Sequence, residues 1–141
     1  MEYGLLGEKL GHSYSKEIHE QLADYTYDLC PVSREDFDAF MTKHDFKAIN
    51  VTIPYKQDVI PYLDAMDDNA ASIGAVNTIV NKNGRLEGHN TDFSGFLYMI
   101  EKHNIRIEGC KCLVLGNGGA AKAVIAVLKH LNAAGIKLVS R

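Results

Sequence analysis

One stretch near the end of the 141-residue chain limits the possible folds more than any other. In "CLVLGNGGAAKAVIAVLKH" an apolar strand-like run leads through a glycine-rich turn into a long apolar helix-like run, and a second strand-like run, "KLVS", follows. Gly116, Gly118 and Ala121 fit the spacing G-x-G-x-x-[G/A]. The first glycine permits a tight turn, the second lets backbone approach a ligand, and the small third residue lets helix and strand pack closely. The pattern predicts a parallel strand–helix–strand unit.

The same turn predicts a dinucleotide site. The helix that follows it presents free N–H groups and positive partial charge, which suit a pyrophosphate. Where an NAD-selective site usually has an acidic residue, the second strand ends in Ser140 and Arg141. An arginine can grip a 2′-phosphate with two N–H bonds, so the sequence favours NADP over NAD. A turn without a ligand and an ordinary surface arginine stay open as alternatives. The predicted cofactor-binding residues are Gly116, Asn117, Gly118, Gly119, Ala120, Ala121, Ser140 and Arg141.

The residues before this unit alternate between strand and helix patterns. Strand patterns lie at 3–7, 27–32, 47–53 and, as a hairpin turning at Asn83–Gly84, 75–92. Helix patterns lie at 15–25, 33–44, about 57–72 with an interruption near Pro61, and 92–104. Ser15 is the expected N-cap of the first helix, with Ile18 and Leu22 on its apolar face. This order predicts an α/β fold with a largely parallel sheet.

The patterns divide the chain into two parts. We expect an N-terminal α/β sandwich with a mostly parallel sheet at 1–105, and the first βαβ unit of a Rossmann-type dinucleotide-binding domain at 106–141. A single βαβ unit leaves sheet edges and helix faces uncovered. The chain is therefore expected to hold one complete domain and an incomplete second one.

Composition argues against several classes of protein. The net charge is −3 and the basic residues are scattered, so a nucleic-acid partner is not expected. No run of about 18 apolar residues occurs and the N-terminus lacks a signal-peptide pattern, so no membrane span or export is expected. The three cysteines are an odd number, and Cys110 and Cys112 are expected as buried thiols, which indicates the reducing cytoplasm. His12 and His19 lack metal-ligand spacing, so no metal site is predicted.

Several polar residues lie next to the ends of the predicted strands. In a parallel sheet these strand ends would meet at one edge, so the polar residues would lie close together. Ligands of open parallel sheets bind at the carboxyl ends of the strands. Several hydroxyl and amide groups suit a small ligand with several hydroxyls, and a lysine beside an aspartate suits proton transfer. Each residue also has a local alternative, as a helix cap, a turn former or a solvated side chain. The candidates are Ser13, Ser15, Thr52, Lys56, Asn77, Asn90 and Asp92.

Five ordered blocks resemble the shikimate dehydrogenase family, and the match covers the whole chain. "HSYS" at 12–15 with His19 resembles the HSxSPxxH signature, and "NVTIPYK" at 50–56 resembles NVTxPxK. "GAVNT" at 74–78 and "GHNTD" at 88–92 resemble the blocks GAVNT and GxNTD. "GNGGAAKA" resembles the cofactor turn GxGGAxxA.

The resemblance implies a function. Family members reversibly reduce 3-dehydroshikimate to shikimate with NADPH in aromatic amino-acid (chorismate) biosynthesis. By matching positions, Lys56 would stabilise and protonate the alkoxide formed at the C3 carbonyl, and Asp92 would orient the lysine. Residues 116–121 would hold the pyrophosphate, and Arg141 the 2′-phosphate. The implied contacts to shikimate come from Ser13, Ser15, Thr52, Asn77 and Asn90.

The chain also departs from the family pattern. Lys9 and Lys16 stand where the family usually has prolines, and Ser140 replaces the usual asparagine. Family chains are nearly twice as long, so this chain is expected to be a fragment that is itself inactive. A quinate or quinate/shikimate dehydrogenase, and a fragment that binds substrate without turnover, stay open as alternatives, as does homo-oligomerisation.

Overall fold

The computed structural model describes residues 1–140, so the predicted cofactor residue Arg141 lies outside the described part of the chain. The strands are β1 (Tyr3–Gly7), β2 (Asp28–Pro31), β3 (Ala48–Val51), β4 (Ala65–Met66), β5 (Thr78–Lys82), β6 (Arg85–His89), β7 (Lys111–Leu115) and β8 (Gly135–Val139). The α-helices are α1 (Ser15–Leu22), α2 (Phe37–Lys43), α3 (Asp68–Ile73), α4 (Asp92–Lys102) and α5 (Gly119–His130), and one 3₁₀ turn covers Ile60–Tyr62.

Six strands form one sheet in the order β2-β1-β3-β5-β6-β4, and β7 and β8 form a separate parallel pair. β1 runs parallel to β2 and β3, and β4 runs parallel to β6, whereas β5 is antiparallel to both β3 and β6. The predicted α/β class with a mostly parallel sheet is confirmed, and so is the hairpin. Its turn residues Asn83 and Gly84 have φ of 56° and 91°, the left-handed values that a two-residue hairpin turn requires.

The direction of β5 decides where the candidate site can form. Because β5 runs against its neighbours, its first residue lies beside the last residues of β3 and β6. Thr78 at the start of β5 pairs with Asn50 of β3 on one side and with His89 of β6 on the other. One edge of the sheet therefore collects the residues that follow β1, β3 and β6 and those that precede β5.

Alternation along β3 separates the core from the polar face. Ile49 and Val51 are each 2% exposed and belong to the main core cluster, whereas Asn50 between them points to the opposite face. Tyr55 and Val59 follow the strand and are fully buried in the same cluster. The Tyr55 hydroxyl donates to the backbone oxygen of Val32 at 2.8 Å, so the core contains no unpaired phenol there.

The expected helix from Gln57 to Ser72 is wrong. The segment contains the 3₁₀ turn with Pro61, the two-residue strand β4 and then the short helix α3. Proline has no N–H for a helical hydrogen bond, which ends the first part. Asp67 then starts α3 as its N-cap, because its side chain accepts from the backbone N–H of Ala70 at 2.6 Å.

The role expected for Ser15 as a helix cap is also wrong. Ser15 is the first residue of α1, and its backbone N–H donates to Ser13 Oγ at 3.2 Å. Ile18 and Leu22, expected on the apolar face of this helix, are 54% and 77% exposed, and α1 has no buried residue. The hydroxyl of Ser15 is therefore not used in capping this helix.

The second unit has the predicted order of strand, glycine turn, helix and strand. Its helix α5 packs against α3 and α4, where Ile73, Ala75 and Ala123 form a small buried cluster. Its sheet is covered on one side only, since Leu113 and Leu115 of β7 are 62% and 74% exposed.

Two further expectations concern the cysteines and the membrane. Cys110 and Cys112 are only partly buried, so their prediction as buried thiols is wrong, and the three cysteines are free. Cys112 lies on β7, which pairs with one strand within residues 1–140, and this leaves the cysteine incompletely covered. Within residues 1–140, no helix has the length and apolar character needed to cross a membrane.

Candidate active site

A cavity of about 560 Å³ opens at the carboxyl ends of β1 and β3. Ser13, Ser15 and Thr52 all line it, so three of the predicted hydroxyl residues meet as expected. The loop after β1 can fold back onto Thr52 because residue 7 is glycine. A Cβ at Gly7 would lie 2.7 Å from Thr52 Cγ2. The other lining residues are Leu5, Lys9, Leu10, Gly11 and His12.

A second cavity, of about 500 Å³, lies between the end of β3 and the glycine turn. Thr52 lines both cavities, and Lys56 lines the second. The remaining lining residues are Ile53, Pro54, Gln57, Leu115, Gly116, Gly118, Gly119, Ala120 and Ala121. The hydroxyl-lined cavity and the glycine turn thus adjoin at Thr52.

Lys56 and Asp92 form an ion pair beside this junction. Lys56 Nζ lies 2.5 Å from Asp92 Oδ2, and the two side chains are 17% and 33% exposed. The Lys56 backbone oxygen accepts from the N–H of Val76 at 2.7 Å, which ties the lysine to the segment before β5. Asp92 is the first residue of α4, and its carboxylate accepts hydrogen bonds from the side chains of Lys56 and Asn77. It therefore does not serve only as a helix cap.

Asn77 holds the other oxygen of the carboxylate. Its Nδ2 donates to Asp92 Oδ1 and to Thr91 Oγ1, both at 2.9 Å, and its Oδ1 accepts from the Thr91 backbone N–H at 3.0 Å. Asn77 is 8% exposed. Asn77, a candidate from the sequence, therefore contacts the other candidate Asp92 directly.

Asn90 has a different environment from the other candidates. It is 2% exposed, its Nδ2 donates to the backbone oxygen of Ala75 at 2.8 Å, and its Oδ1 accepts from the Asp92 backbone N–H at 3.0 Å. These bonds fix the start of α4 and hence the position of the Asp92 side chain. Among the described residues that line the two cavities, Asn90 does not occur. It contributes to the site by fixing the backbone of Asp92.

Sequence reasoning missed four residues that lie behind Asn77. The first is Thr91, whose hydroxyl accepts from the Asn77 amide nitrogen and whose backbone N–H donates to the Asn77 amide oxygen. Thr78 Oγ1 donates to Asn77 Oδ1 at 3.1 Å, Asn50 Nδ2 donates to Thr78 Oγ1 at 3.0 Å, and the Tyr27 hydroxyl donates to Asn50 Oδ1 at 2.7 Å. The alternation of β3 puts Asn50 on the same side as Thr52, which was a usable signal for Asn50. No comparable signal in the sequence pointed to Tyr27.

The glycine turn fits a pyrophosphate. Gly116 has φ of 105°, a conformation that side chains rarely adopt, and Gly118 precedes α5 as its N-cap. The first turn of α5 contains no acidic residue that would repel a phosphate. A Cβ at Gly119 would lie 3.1 Å from Lys56 Cδ, so the turn and the lysine are in contact. Ser140 follows β8 and is exposed.

Comparison with known proteins gives one consistent family. A family model described as the shikimate dehydrogenase substrate binding domain matches residues 5–79. The NADP(+) shikimate dehydrogenase of Clostridium beijerinckii is 46% identical over 147 aligned residues, which include 99% of this chain and 54% of the relative.

Solved structures agree. Shikimate dehydrogenase 1 of Peptoclostridium difficile superposes with a TM-score of 0.90 at 34% identity, over 98% of this chain and 54% of that one. The enzyme of Thermus thermophilus, solved with NADP(H) and shikimate, has a TM-score of 0.87 at 30% identity, over 100% of this chain and 56% of that one. The chain thus spans about half the length of the relatives it matches, and it belongs to the shikimate dehydrogenase family.

Proposed function

We propose that this chain provides the substrate side and the start of the cofactor side of an NADP-dependent shikimate dehydrogenase, an oxidoreductase that interconverts 3-dehydroshikimate and shikimate. The observation that carries the proposal is the Lys56–Asp92 ion pair of 2.5 Å, formed beside the junction of a hydroxyl-lined cavity and a glycine turn. Relatives named NADP(+) shikimate dehydrogenase support it.

The hydroxyl-lined cavity suits the substrate. Ser13, Ser15 and Thr52 offer hydroxyls that can both donate and accept, as a polyhydroxylated acid requires. Lys9 and His12 line the same cavity, and no acidic residue does, so the lining also favours a carboxylate. Asn77 can contact the substrate only by sharing an amide that already binds Asp92. For Asn90 the proposed role is indirect, through the start of α4.

Proton transfer falls to the lysine. An ammonium group has three N–H donors, and one of those of Lys56 is taken by Asp92, so the others are available to the substrate oxygen. NADPH, when bound, supplies the hydride. Lys56 stabilises negative charge on the substrate oxygen and donates a proton to it, while Asp92, held by Asn77, keeps the ammonium in place. General acid–base help of this kind is worth about 10²–10⁴-fold in rate.

We further propose two domains, the shikimate-binding domain at 1–105 and the beginning of the NADP-binding domain at 106–141. Residues 116–121 would hold the pyrophosphate at the N-terminus of α5. Ser140 and Arg141 would bind the 2′-phosphate, by their position after β8 in the sequence. The three free cysteines support a location in the reducing cytoplasm. We also propose homo-oligomerisation, which sedimentation would test.

A lysine substitution tests the function. In the protein at its natural length, Lys56→Met should lower kcat by about 10²-fold or more, on the order of the general-acid contribution, while shifting KM for shikimate much less. Oxidation of shikimate is followed by NADPH absorbance. Lys43→Met is the matched control, because Lys43 is an exposed lysine paired only with Asp45. A near-normal kcat in Lys56→Met would show that the lysine is not catalytic. A comparison of kcat/KM for shikimate and for quinate decides which of the two acids is the substrate.

The second unit favours another candidate function for the 141 residues by themselves, namely binding of shikimate without turnover. Within the described residues, the glycine turn is supported only by the two-stranded sheet of β7 and β8, and one face of β7 is open. Titration with shikimate in the absence of NADP separates binding from catalysis.

A further inference from the structure

A line of hydrogen bonds crosses the sheet behind the candidate catalytic pair. The hydroxyl of Tyr27 donates to Asn50 Oδ1 at 2.7 Å, and Asn50 Nδ2 donates to Thr78 Oγ1 at 3.0 Å. Thr78 Oγ1 donates to Asn77 Oδ1 at 3.1 Å, and Asn77 Nδ2 donates to Asp92 Oδ1 at 2.9 Å. The phenol of Tyr27, which immediately precedes β2, is thereby connected to the carboxylate of the site.

The chemistry of the groups fixes the direction of these bonds. Tyr27 is 2% exposed, and burial raises the pKa of its hydroxyl, so the group stays protonated and donates. An amide oxygen can only accept, so Asn50 turns its oxygen to Tyr27 and its NH₂ to Thr78. Thr78 already accepts from Asn50, and its own proton is therefore directed to Asn77.

Packing holds Tyr27 in place. Its ring stacks on His19 with centroids 4.0 Å apart and an interplanar angle of 13°. It also clusters with Leu5 and Leu10, two residues that line the hydroxyl-lined cavity. Lys16 Nζ donates to its backbone oxygen at 2.8 Å. The phenol is thus a fixed point just behind the lining of that cavity.

We propose that Tyr27 is a positioning residue for the site, and the kinetic part of this inference rests on the proposed function. The Tyr27 hydroxyl fixes the amide of Asn50, and through Thr78 it supplies one of two hydrogen bonds to the Asn77 oxygen. Without that hydroxyl the Asn50 amide can rotate and accept from Thr78 instead. The oxygen of Asn77 then keeps only the bond from the Thr91 backbone.

The test is Tyr27→Phe, which removes one oxygen, in the protein at its natural length. We expect kcat with shikimate and NADP to fall about 3- to 10-fold, the effect of one hydrogen bond of average net strength, with KM changed less than about twofold. Thr78→Val interrupts the same line and should lower kcat equally. The two changes combined should lower kcat no further than either alone, because they break one chain. Thr78→Ser keeps the hydroxyl and should recover most of the loss.

Tyr25→Phe is the matched control, since the Tyr25 hydroxyl bonds to His19 and not to Asn50. Its kcat should be unchanged. A second measurement, independent of substrate, is the hydrogen exchange of the Asn77 side-chain amide by NMR, which should quicken in Tyr27→Phe and not in Tyr25→Phe. Additive losses, or loss of stability with unchanged kcat, would overturn the inference.

The proposed function and the positioning role of Tyr27 can be contradicted independently. If the wild-type protein turns over no shikimate, the proposed function is wrong, and the Asn77 exchange measurement alone decides the inference. If Tyr27→Phe does not fold, the pair Thr78→Val and Thr78→Ser takes its place. Equal kcat in that pair, or unchanged Asn77 exchange, would contradict the positioning role.

Discussion

The two sheets of the molecule use similar strands with different results. In β3 the apolar residues Ile49 and Val51 are each 2% exposed, whereas in β7 Leu113 and Leu115 are 62% and 74% exposed. β3 has a neighbour on each side, and β7 pairs within the described residues only with β8. Burial of a strand is therefore decided by what packs on it, and an apolar sequence by itself does not secure it.

The comparison predicts that the second unit is stabilised mainly through its helix. α5 contacts α3 through the cluster of Ile73, Ala75 and Ala123, and Phe93 of α4 packs against the same cluster. The open face of its sheet has no cover among residues 1–140. Local stability follows buried apolar contact, so this unit should open more readily than the six-stranded sheet.

The largest expected effect is on turnover. The 141-residue chain by itself should show no NADP-dependent oxidation of shikimate, because the glycine turn is supported by a two-stranded sheet with an open face. NADPH absorbance measures this, with calorimetric binding of shikimate as the control that the first region is folded. Robust turnover by the chain alone would show that the second unit is sufficient as it stands.

Stability should differ between the two sheets under the same kind of change. Ile49→Ala should lower the free energy of unfolding by about 2–5 kcal/mol, since it leaves a cavity in a closed core. Leu113→Ala should change it by no more than about 0.5 kcal/mol, since the side chain is largely exposed. Urea unfolding measures both. A large loss in Leu113→Ala would mean that the open face is covered, for example by self-association, which sedimentation would detect.

Substrate binding should belong to the first region alone. Ser15→Ala should weaken shikimate binding about tenfold, because a substrate hydroxyl or carboxylate loses its partner. The free energy of unfolding should be unchanged, since the Ser15 hydroxyl makes no cap bond in α1. Titration calorimetry with shikimate in the absence of NADP measures the affinity. An unchanged affinity in Ser15→Ala would mean that this hydroxyl does not bind the substrate.

The smallest effect concerns α1, which has no buried residue and in that respect resembles the open face of the second unit. Lys16 pairs with Glu20 at 2.6 Å and donates to the Tyr27 backbone oxygen. Lys16→Ala should lower the free energy of unfolding by only about 0.5 kcal/mol, since the ion pair is exposed. Thermal unfolding measures the change, with Lys43→Ala as an exposed control. A loss well above this value would show that Lys16 anchors the helix.

The sequence allowed the elements with a strict local pattern to be predicted. The alternation of "AINV", the turn at Asn83–Gly84 and the glycine turn at 116–118 each follow from residues close together in the chain. The segment after Lys56 was predicted wrongly, because a two-residue strand pairing with β6 is a tertiary contact that propensity does not encode. The burial of Cys112 failed for a similar reason, since it depends on a neighbour that β7 lacks within residues 1–140.

For the candidate site, the sequence predicted which side chains would lie near one another more fully than it predicted their hydrogen bonds. The sheet edge explains why Ser13, Thr52, Lys56 and Asn77 lie close together. That Asn77 holds the Asp92 carboxylate depends on side-chain rotamers that no spacing rule fixes. Tyr27 enters through bonds across several strands, which a linear pattern does not reveal.

The contact between Gly119 and Lys56 has a consequence for how variants of the glycine turn are interpreted. Because a Cβ at position 119 would lie 3.1 Å from the lysine stem, Gly119→Ala alters two properties at once. Under the proposed function, a weaker affinity for dinucleotide would be accompanied by a displaced proton donor, and raising the dinucleotide concentration would correct only the first defect. A natural variant at position 119, in the proposed cofactor turn, would thus also act as a variant of the proposed proton donor.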